Sequence, residues 1–349
     1  MTTLGEAPGV HFEAAAFAPR PAEWRGLARD EVRLLVGQGD AISHARFQDL
    51  PQHLRAGDVL VVNNSATVAG EVDATLHGAD VVLHLAARLD DGDRVIELRS
   101  APDATRAVLG ARPGDVLRVD DVLMTLTEPW PTGQPSSPTG EGNRLWRARA
   151  RGDLDGAVQR RGRPIAYGYL DRRYPLDAYQ TVFGHRPGSA EMASAGRPFT
   201  DALVTALVSR GIAFAPVTLH TGLSSQETGE APAPEWFEVS DASARLINAA
   251  RAGGGRVIAV GTTATRAIES AVCDGLVVPV DGWTDRVITP AAPPHIVDGL
   301  ITGWHDPHAS HLLLVEAVAG RALTQAAYDE AVARGYLWHE FGDAALLLP

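Results

Sequence analysis

Lysine is absent from this 349-residue chain, and all 31 basic side chains are arginine. High-GC coding is a sufficient cause of that bias, but the bias still restricts the chemistry. A protein without lysine cannot form a lysine Schiff base, attach pyridoxal phosphate or use the lysine of a Walker-type phosphate loop. The sequence therefore excludes lysine-based covalent catalysis and phosphoryl transfer by P-loop machinery.

Cysteine is almost absent as well, since Cys273 is the single one. One cysteine excludes an intramolecular disulfide and a metal site built from cysteines. No apolar run is long enough to span a bilayer. The first residues, MTTLGEAPGV, lack the basic start and apolar stretch of a secretory signal. The simplest expectation is a cytoplasmic protein that does not associate with membranes.

The net charge of −12 argues against a broad surface for nucleic acid. Residues 144–173 are an exception, because they carry nine arginines against Asp153, Asp155 and Asp171. Two interpretations stay open for this region. It is either a solvated arginine-rich strand and loop, or a local patch that contacts a phosphate backbone.

The pattern of apolar residues divides the chain into two kinds of structure, and the length suits two domains. Residues 69–151 contain short alternating runs such as RVIELRS and LWRARAR, which are typical of antiparallel strands. From residue 152 onward, strands alternate with helices. Thr200 and Ser240 are placed to cap two helices, and two more helices are predicted at about 311–320 and 323–334. We therefore predict an α/β protein, with a partly parallel, mixed sheet covered by helices on both faces and a small β domain inserted near residue 69.

The segment 255–270 is the first candidate for a ligand site, with the sequence GRVIAVGTTATRAIES. It predicts a buried strand, a turn rich in hydroxyl groups and the start of a helix, whose first N–H groups have no partners within the helix. Thr262 and Thr263 are candidate hydrogen-bond donors, and Arg266 is a candidate partner for a carboxylate. The alternative for Arg266 is a surface ion pair with Glu269, three residues further on.

Histidines supply the candidates for proton transfer. His220 ends the predicted strand 212–220 and suits either general acid–base catalysis at the sheet edge or a structural role. His305, Asp306, His308 and His311 lie close together in TGWHDPHASH (302–311), but no carboxylate pair with metal-ligand spacing accompanies them. No GxSxG nucleophile motif occurs. By themselves, these residues indicate an α/β enzyme that holds a small polar ligand.

An ordered series of segments identifies a family. The segments are RDEVRLLV (29–36), FQDLPQHLRAGDVLVVNNS (47–65), DAYQTVFG (177–184), PGSAEMASAGRPFT (187–200), VTLHTGL (217–223), WFEVS (236–240), GGRVIAVGTTATRAIES (254–270), VDGLITGWHDP (297–307) and YLWHEFGDAALLL (336–348). Together they resemble the S-adenosylmethionine:tRNA ribosyltransferase-isomerase family nearly end to end. The resemblance implies an α/β catalytic domain of residues 1–68 and 152–349, with an antiparallel β-barrel domain inserted at residues 69–151.

The resemblance also implies a reaction, the formation of epoxyqueuosine in queuosine biosynthesis. S-adenosylmethionine is then a cosubstrate that donates its ribosyl group. Its sulfonium acidifies the neighbouring 5′ carbon, adenine leaves, and an aminomethyl-deazaguanine base of tRNA attacks and releases methionine. This course needs a base, a proton donor and a site that excludes water. It needs no metal.

Site residues follow from the matching segments. His220 and His305 are the candidates for proton transfer, with no basis for choosing between them. The expected pocket contains Asn63, Tyr179, Gln180, Ala195, Gly196, Phe199, Thr200, Gly222, Thr262, Thr263, Arg266, Asp298 and Thr302. Arg266 is one option for the carboxylate of the cosubstrate, whereas Asp298 is equally a helix or turn cap and Tyr179 an ordinary core residue. We further expect a monomer that contacts tRNA through residues 144–173.

Several polar positions differ from the family pattern. Ala66 and Glu71 stand where the family has arginines, and Pro198 stands where it has a histidine. Losing one charged contact in a closed site typically costs about 2–5 kcal/mol. A divergent paralogue is therefore the alternative: a protein that binds an adenosyl sulfonium but uses a small-molecule acceptor, or a binding protein without catalysis.

Overall fold

The computed structural model describes residues 8–13, 15–132, 142–223, 232–307 and 309–349. Its strands are β1 (Arg33–Gln38), β2 (Ala41–Arg46), β3 (Val59–Asn63), β4 (Ser65–Thr67), β5 (Glu71–Leu76), β6 (Ala79–Arg88), β7 (Arg94–Ser100), β8 (Val116–Val119), β9 (Val122–Pro129), β10 (Leu145–Arg151), β11 (Arg186–Ser189), β12 (Ala213–Leu219), β13 (Glu235–Val239), β14 (Val257–Val260), β15 (Val272–Cys273), β16 (Leu276–Val277), β17 (Val280–Thr284), β18 (Gly299–Thr302) and β19 (Ala344–Leu348). Its α-helices are α1 (Leu154–Arg161), α2 (Asp201–Ser209), α3 (Asp241–Ala252), α4 (Thr262–Ser270), α5 (His311–Ala319) and α6 (Arg321–Ala333). Short 3-10 helices cover Ala22–Arg25, Arg29–Glu31, Phe47–Gln52, Leu176–Tyr179 and Ser194–Gly196.

The predicted helix starts are confirmed by their capping bonds. The Thr200 hydroxyl accepts a hydrogen bond from the Leu203 N–H at 3.2 Å, at the start of α2. The Ser240 hydroxyl does the same for the Ser243 N–H at 3.2 Å, at the start of α3. Each bond satisfies a backbone donor that has no partner within the helix. No helix in the part of the chain that the structure describes has the length and apolarity needed to cross a membrane.

A nine-stranded sheet forms the larger part of the molecule, in the order β17-β13-β12-β3-β14-β18-β19-β1-β2. The neighbours β12, β3, β14 and β18 are parallel to one another. β19 runs antiparallel to β18 and parallel to β1. The prediction of a mixed, partly parallel sheet is confirmed.

Both faces of this sheet are buried, because alternate side chains of each strand point to opposite faces. Val59 and Val61 of β3 belong to one core, together with apolar side chains of α3, α4, α5 and α6. Leu60 and Val62 belong to the other, together with side chains of α2 and the 3-10 helix Phe47–Gln52. Helices therefore cover both faces, as the alternation of strands and helices predicts.

Strands β5 to β10 close into a separate six-stranded barrel in the order β10-β7-β6-β5-β8-β9. Its interior is filled by side chains such as Leu83, Leu98, Met124 and Trp146, and α1 adds Leu154 to this core. The prediction of an inserted antiparallel barrel is confirmed. The division of the chain into domains at residues 69 and 151 stays a prediction.

Glu71 is the centre of an ionic cluster at the barrel. Its carboxylate is fully buried and lies 2.6 Å from Arg163, 2.8 Å from Arg173 and 3.3 Å from His84. Burial by itself would raise the pKa of Glu71, but hydrogen bonds from His84, Arg173 and Arg163 lower it to about 2. The buried carboxylate therefore depends on these three groups for the hydrogen bonds and positive charge that offset its burial.

We expect Glu71→Gln to lower the free energy of unfolding by about 3 kcal/mol at pH 7. Because the folded-state pKa lies below the ordinary value of 4.5, the contribution is complete above that value and is lost as the pH falls towards 2. At pH 3 the expected loss is about 1 kcal/mol. Urea unfolding at both pH values measures it, with Glu13→Gln as the exposed control. An equal loss at pH 7 and pH 3 would show that the ion pairs are not the cause.

Candidate active site at the carboxyl edge of the sheet

The topology brings distant segments together at one edge of the large sheet. Because β3, β12, β14 and β18 are parallel, Asn63, Leu219, Val260 and Thr302 end at the same edge. β19 is antiparallel to β18, with Thr302 opposite Ala345, so the segment that precedes β19 reaches this edge too. Ligands of such sheets collect outside the carboxyl ends of the strands.

Asn63 ties three segments together at this edge. Its side-chain oxygen accepts hydrogen bonds from the N–H groups of Ser65 and Leu219, at 3.0 and 3.1 Å. Its side-chain nitrogen donates to the carbonyl of Leu219 at 2.9 Å and to the hydroxyl of Thr263 at 3.2 Å. The predicted pocket residue thus joins the ends of β3 and β12 to the start of α4.

A cavity of about 310 Å³ opens at this edge. That volume lies within the range of roughly 300–1,000 Å³ that is usual for small-molecule sites. Its wall combines the start of α4, the loop after β18 and the segments before α2 and β19, with the residues Tyr167, Tyr169, Glu191, Met192, Ala193, Ser194, Ala195, Thr221, Gly261, Thr262, Thr263, Thr302, Gly303, Trp304, His305, Asp306, Ala309, His311, His339 and Glu340.

The turn before α4 is one wall of this cavity. Gly261 has a φ of +92°, a left-handed conformation that favours glycine, and a Cβ atom here would lie 3.2 Å from Ala195. No side chain of the described residues caps α4. The first N–H groups of the helix, with the hydroxyls of Thr262 and Thr263, are therefore available to an anionic or polar ligand group.

Five of the predicted site residues line the cavity: Ala195, Thr262, Thr263, Thr302 and His305. His305 is held by its neighbours, because its Nε2 atom lies 3.0 Å from the Thr302 hydroxyl and its ring stacks on that of His311. Burial lowers the pKa of His305 well below 6.5, and the nearby His311 and His339 add to this effect. His305 is therefore a neutral imidazole at pH 7 and a weak base.

His220, the second candidate for proton transfer, lies behind the cavity wall. Its Nδ1 atom is 2.8 Å from the Ser65 hydroxyl, and its ring stacks on Trp236 with centroids 5.2 Å apart. Burial lowers its pKa, and the positive charge of Arg186 lowers it further. A Cβ atom on Gly188 would lie 2.5 Å from the ring. The strand β11 therefore approaches His220 so closely that only glycine fits at this position. The neighbouring Thr221 reaches the cavity instead.

Arg266 lies in a second, adjoining pocket whose wall shares Thr262, Thr263 and His311 with the cavity. Its guanidinium forms an ion pair with Glu235 and donates to the carbonyls of Arg286 and Thr284, at 3.1 and 3.4 Å. The alternative for Arg266, a surface ion pair with Glu269, does not form. Instead, the buried Glu269 carboxylate accepts hydrogen bonds from the N–H groups of residues 295–297.

The structure does not bring four other predicted residues to the cavity wall. The Gln180 side chain bonds both backbone groups of Thr67, at 2.8 and 3.1 Å. Tyr179 is buried against Phe341 as an ordinary core residue. Gly196 belongs to a 3-10 turn, and the N–H of Gly222 donates to Glu235 at 2.8 Å. None of the four lines the cavity.

Three further predicted residues have structural roles elsewhere. Phe199 is fully buried in the core beneath α2, and Thr200 caps that helix. Asp298 precedes β18 and accepts a hydrogen bond from the N–H of Val257, at the start of β14, at 2.8 Å. It therefore lies at the opposite edge of the sheet and cannot contact a ligand in the cavity.

Five ionisable or aromatic residues of the cavity wall were not among the predicted site residues. They are Tyr167, Tyr169, Glu191, His339 and Glu340. The two tyrosine rings stack with centroids 5.6 Å apart, and Tyr169 also contacts the His339 ring at 5.0 Å. Glu191, His339 and Glu340 lie within two of the segments that resemble the family, residues 187–200 and 336–348. Their ionisable side chains within these segments were the signal that could have identified them as site residues.

Glu340 is an acid of this site with a strongly raised pKa. Burial raises its pKa to about 7, although a hydrogen bond to its own backbone acts in the opposite direction. Burial also raises the pKa of Tyr167, and the carboxyl groups of Glu191 and Glu340 contribute to that rise. Both acids therefore lie close enough to Tyr167 to influence it.

No group of three or more His, Cys, Asp or Glu side chains in the described ranges is arranged to hold a metal ion. In the cluster that the sequence suggested, Asp306 lies 3.2 Å from His339. His308 lies outside the described residues. The expectation that the reaction needs no metal stays a prediction.

The arginine-rich region 144–173 is largely neutralised by ion pairs. Six of its nine arginines lie within 4 Å of a carboxylate: Arg144, Arg147, Arg149, Arg160, Arg163 and Arg173. Arg144 and its partner Glu97 are buried. The region therefore does not present nine unpaired cations to a phosphate backbone, and a contact with tRNA here would depend on the remaining three arginines.

Comparison with known proteins gives consistent matches over the whole length. A family model described as "Queuosine biosynthesis protein" matches residues 11–347. An S-adenosylmethionine:tRNA ribosyltransferase-isomerase of Symbiobacterium thermophilum is 36% identical over 346 residues, which cover 95% of this chain and 96% of that protein. The protein of the same name from Anaeromyxobacter dehalogenans is 38% identical, with 92% and 93% covered. The crystal structure of an S-adenosylmethionine tRNA ribosyltransferase from Thermotoga maritima is similar, with a TM-score of 0.52 and 27% identity over 95% of this chain and 96% of that one.

Proposed function

The chain belongs to the family of queuosine biosynthesis proteins, and on this premise we propose that it is an S-adenosylmethionine:tRNA ribosyltransferase-isomerase of the cytoplasm. It transfers and isomerises the ribosyl group of S-adenosylmethionine onto the aminomethyl-deazaguanine base of tRNA. The observation that carries this proposal is 36% identity over 95% of the chain with a protein named for that activity. The comparisons support this reading, and they give no support to a small-molecule acceptor or a non-catalytic binder.

The chemistry of the cavity wall suits the parts of S-adenosylmethionine. The start of α4 offers N–H groups and the positive end of a helix dipole to the methionine carboxylate. Thr262 and Thr263 add hydroxyl groups for the ribose. The stacked rings of Tyr167 and Tyr169 provide a flat apolar surface for adenine. Arg266 is already paired with Glu235, so the helix start is the better candidate for the carboxylate.

His305 is better placed than His220 for contact with the cosubstrate, because it lines the cavity. Its low pKa makes it a neutral hydrogen-bonding group, which suits orientation of the leaving adenine better than strong base catalysis. His220 bonds the Ser65 hydroxyl, which in turn lies 2.6 Å from the Ser189 hydroxyl. Its role is therefore to position β4 and β11 next to the site.

The function is tested by incubating the purified chain with S-adenosylmethionine and tRNA that carries the aminomethyl-deazaguanine base. We expect adenine and methionine to be released in equal amounts, at a rate that depends on this tRNA. The control is the same tRNA with guanine in place of the modified base, which offers no aminomethyl nucleophile. Release that is independent of tRNA, or tight binding without any release, would contradict the proposal and favour the divergent alternative.

A further inference from the structure

Glu340 is a buried acid at the cavity for which the proposed function has not yet assigned a role. Its side chain is 16% exposed, and its Oε2 atom accepts no hydrogen bond from the residues that the structure describes. The Nδ1 atom of His339 lies 3.9 Å away, which is beyond hydrogen-bond distance. A carboxylate oxygen that is buried without a donor is costly, unless a ligand provides the compensating charge.

The charged groups around Glu340 do not provide that compensation. On the cavity side it shares the wall with Glu191, Tyr167, His305 and His339, and the His339 ring bonds Asp306 at 3.2 Å.

On its other side, Glu340 lines a small cleft with Arg29, Arg197 and Asp343. Both arginines are ion-paired with Glu23 at 3.0 Å, and Asp343 is paired with Arg33 at 2.7 Å. The two arginines share the one carboxylate of Glu23, and the pKa of Glu340 responds to burial and to its own backbone, not to either arginine.

A sulfonium is the kind of group that fits such a carboxylate. It carries a fixed positive charge but no hydrogen to donate, so it attracts an anion by charge alone. It also acidifies the hydrogens on the carbons that are bonded to it. We propose that Glu340 faces the sulfonium of S-adenosylmethionine as a carboxylate and takes a proton from the ribose carbon bonded to the sulfur.

The step is balanced by the groups already named. The C–H bond breaks, an O–H bond forms on Glu340, and the electron pair stays on the carbon, where the adjacent sulfonium stabilises it. No oxidant, reductant or further reactant takes part. His305 is a poorer candidate for this step, because burial lowers its pKa well below 6.5 and so makes it the weaker base.

This inference rests on the proposed function and adds a consequence that is measurable without turnover. Without ligand, the pKa of Glu340 is about 7, so the group is about half protonated at pH 7. A positive charge close to it favours the carboxylate and lowers this pKa. Binding of S-adenosylmethionine should therefore release about 0.5 proton at pH 7, and less at pH 8.5.

The test is calorimetry of S-adenosylmethionine binding at pH 7 in two buffers with different ionisation enthalpies. We expect the wild-type chain to release about 0.5 proton, and Glu340→Gln to bind without release. S-adenosylhomocysteine, whose sulfur is neutral, should bind to the wild type without release. Glu191→Gln, which alters the other acid of the cavity, should keep the release. Release that is lost in Glu191→Gln but kept in Glu340→Gln would overturn the inference.

Turnover gives a second and separate readout. Glu340→Gln is expected to lower the rate of adenine release about 100-fold, and Glu340→Asp to restore part of it, because the carboxylate acts as the base. If the wild type turns over and Glu340→Gln retains more than half of that rate, the inference fails and the proposed function stands. If the wild type releases the proton but no adenine, the contact between carboxylate and sulfonium stands and the proposed function fails. If the wild type does not bind S-adenosylmethionine, both fail.

Discussion

Gly303→Phe is expected to abolish binding of S-adenosylmethionine and to leave the fold intact. Gly303 follows β18 at the cavity wall, and a Cβ atom built there meets no other atom within 4 Å. A phenyl ring at this position therefore extends into the cavity of about 310 Å³ instead of into the packed core. Because ring and ligand cannot occupy the same volume, we expect affinity to fall at least about 1,000-fold, which corresponds to about 4 kcal/mol.

Calorimetry measures the binding, and thermal unfolding measures the fold. The matched control is Gly110→Phe, because Gly110 is exposed and also has open space around its Cβ position. Gly303→Ala should keep most of the affinity, since a methyl group occupies little of the cavity. A Gly303→Phe protein that is folded and binds S-adenosylmethionine normally would show that the ligand occupies another place.

Arg266→Ala is expected to lower the free energy of unfolding by about 3–5 kcal/mol, because it leaves the buried carboxylate of Glu235 without its cation. The two side chains are only 8% and 11% exposed. The guanidinium also bonds backbone carbonyls of residues 284 and 286, so it ties α4 to β13 and to the segment after β17. Such a loss is a large part of the roughly 5–15 kcal/mol that stabilises a typical domain.

Urea unfolding of Arg266→Ala, Glu235→Gln and the double variant forms a double-mutant cycle for this pair. We expect the double variant to be more stable than the sum of the single losses predicts, because neither charge is then left buried alone. Arg245→Ala serves as the control, since Arg245 forms an exposed pair with Asp241 and should lose less than about 1 kcal/mol. If Arg266→Ala instead weakens S-adenosylmethionine binding with no change in stability, Arg266 serves the ligand and not the fold.

Much of the fold was predictable because local chemistry governs it. The side chains of Thr200 and Ser240 cap their helices by accepting a hydrogen bond from an N–H group only three residues further along the chain. Successive residues of β3 pack into opposite cores, Val59 and Val61 into one and Leu60 and Val62 into the other. This follows from the backbone geometry of a strand, which places successive side chains on opposite faces. These signals operate over a few residues, so no knowledge of tertiary contacts is needed to interpret them.

The candidate site was predictable only in part. The turn with Thr262 and Thr263 reaches the cavity because a parallel strand followed by a helix places that turn at the carboxyl edge of the sheet. Matching segments also selected residues such as Asn63 and Phe199, whose side chains bond or pack behind the edge. A matched segment identifies a neighbourhood, but it does not say which of its side chains points into the open space.

The class of fold, the capped starts of α2 and α3, the inserted antiparallel strands and the family of this protein could be predicted from the amino acids alone, because each depends on neighbouring residues or on the order of segments. The contacts between side chains that are distant in the sequence became known from the folded structure. It paired Arg266 with Glu235 instead of Glu269, and it placed Asp298 at the far edge. It also brought Glu340 beside a cavity built from residues far away in the chain. The physical reason is that contact, burial and pKa depend on distance in space, and strand order sets that distance through hydrogen bonds between segments remote in sequence.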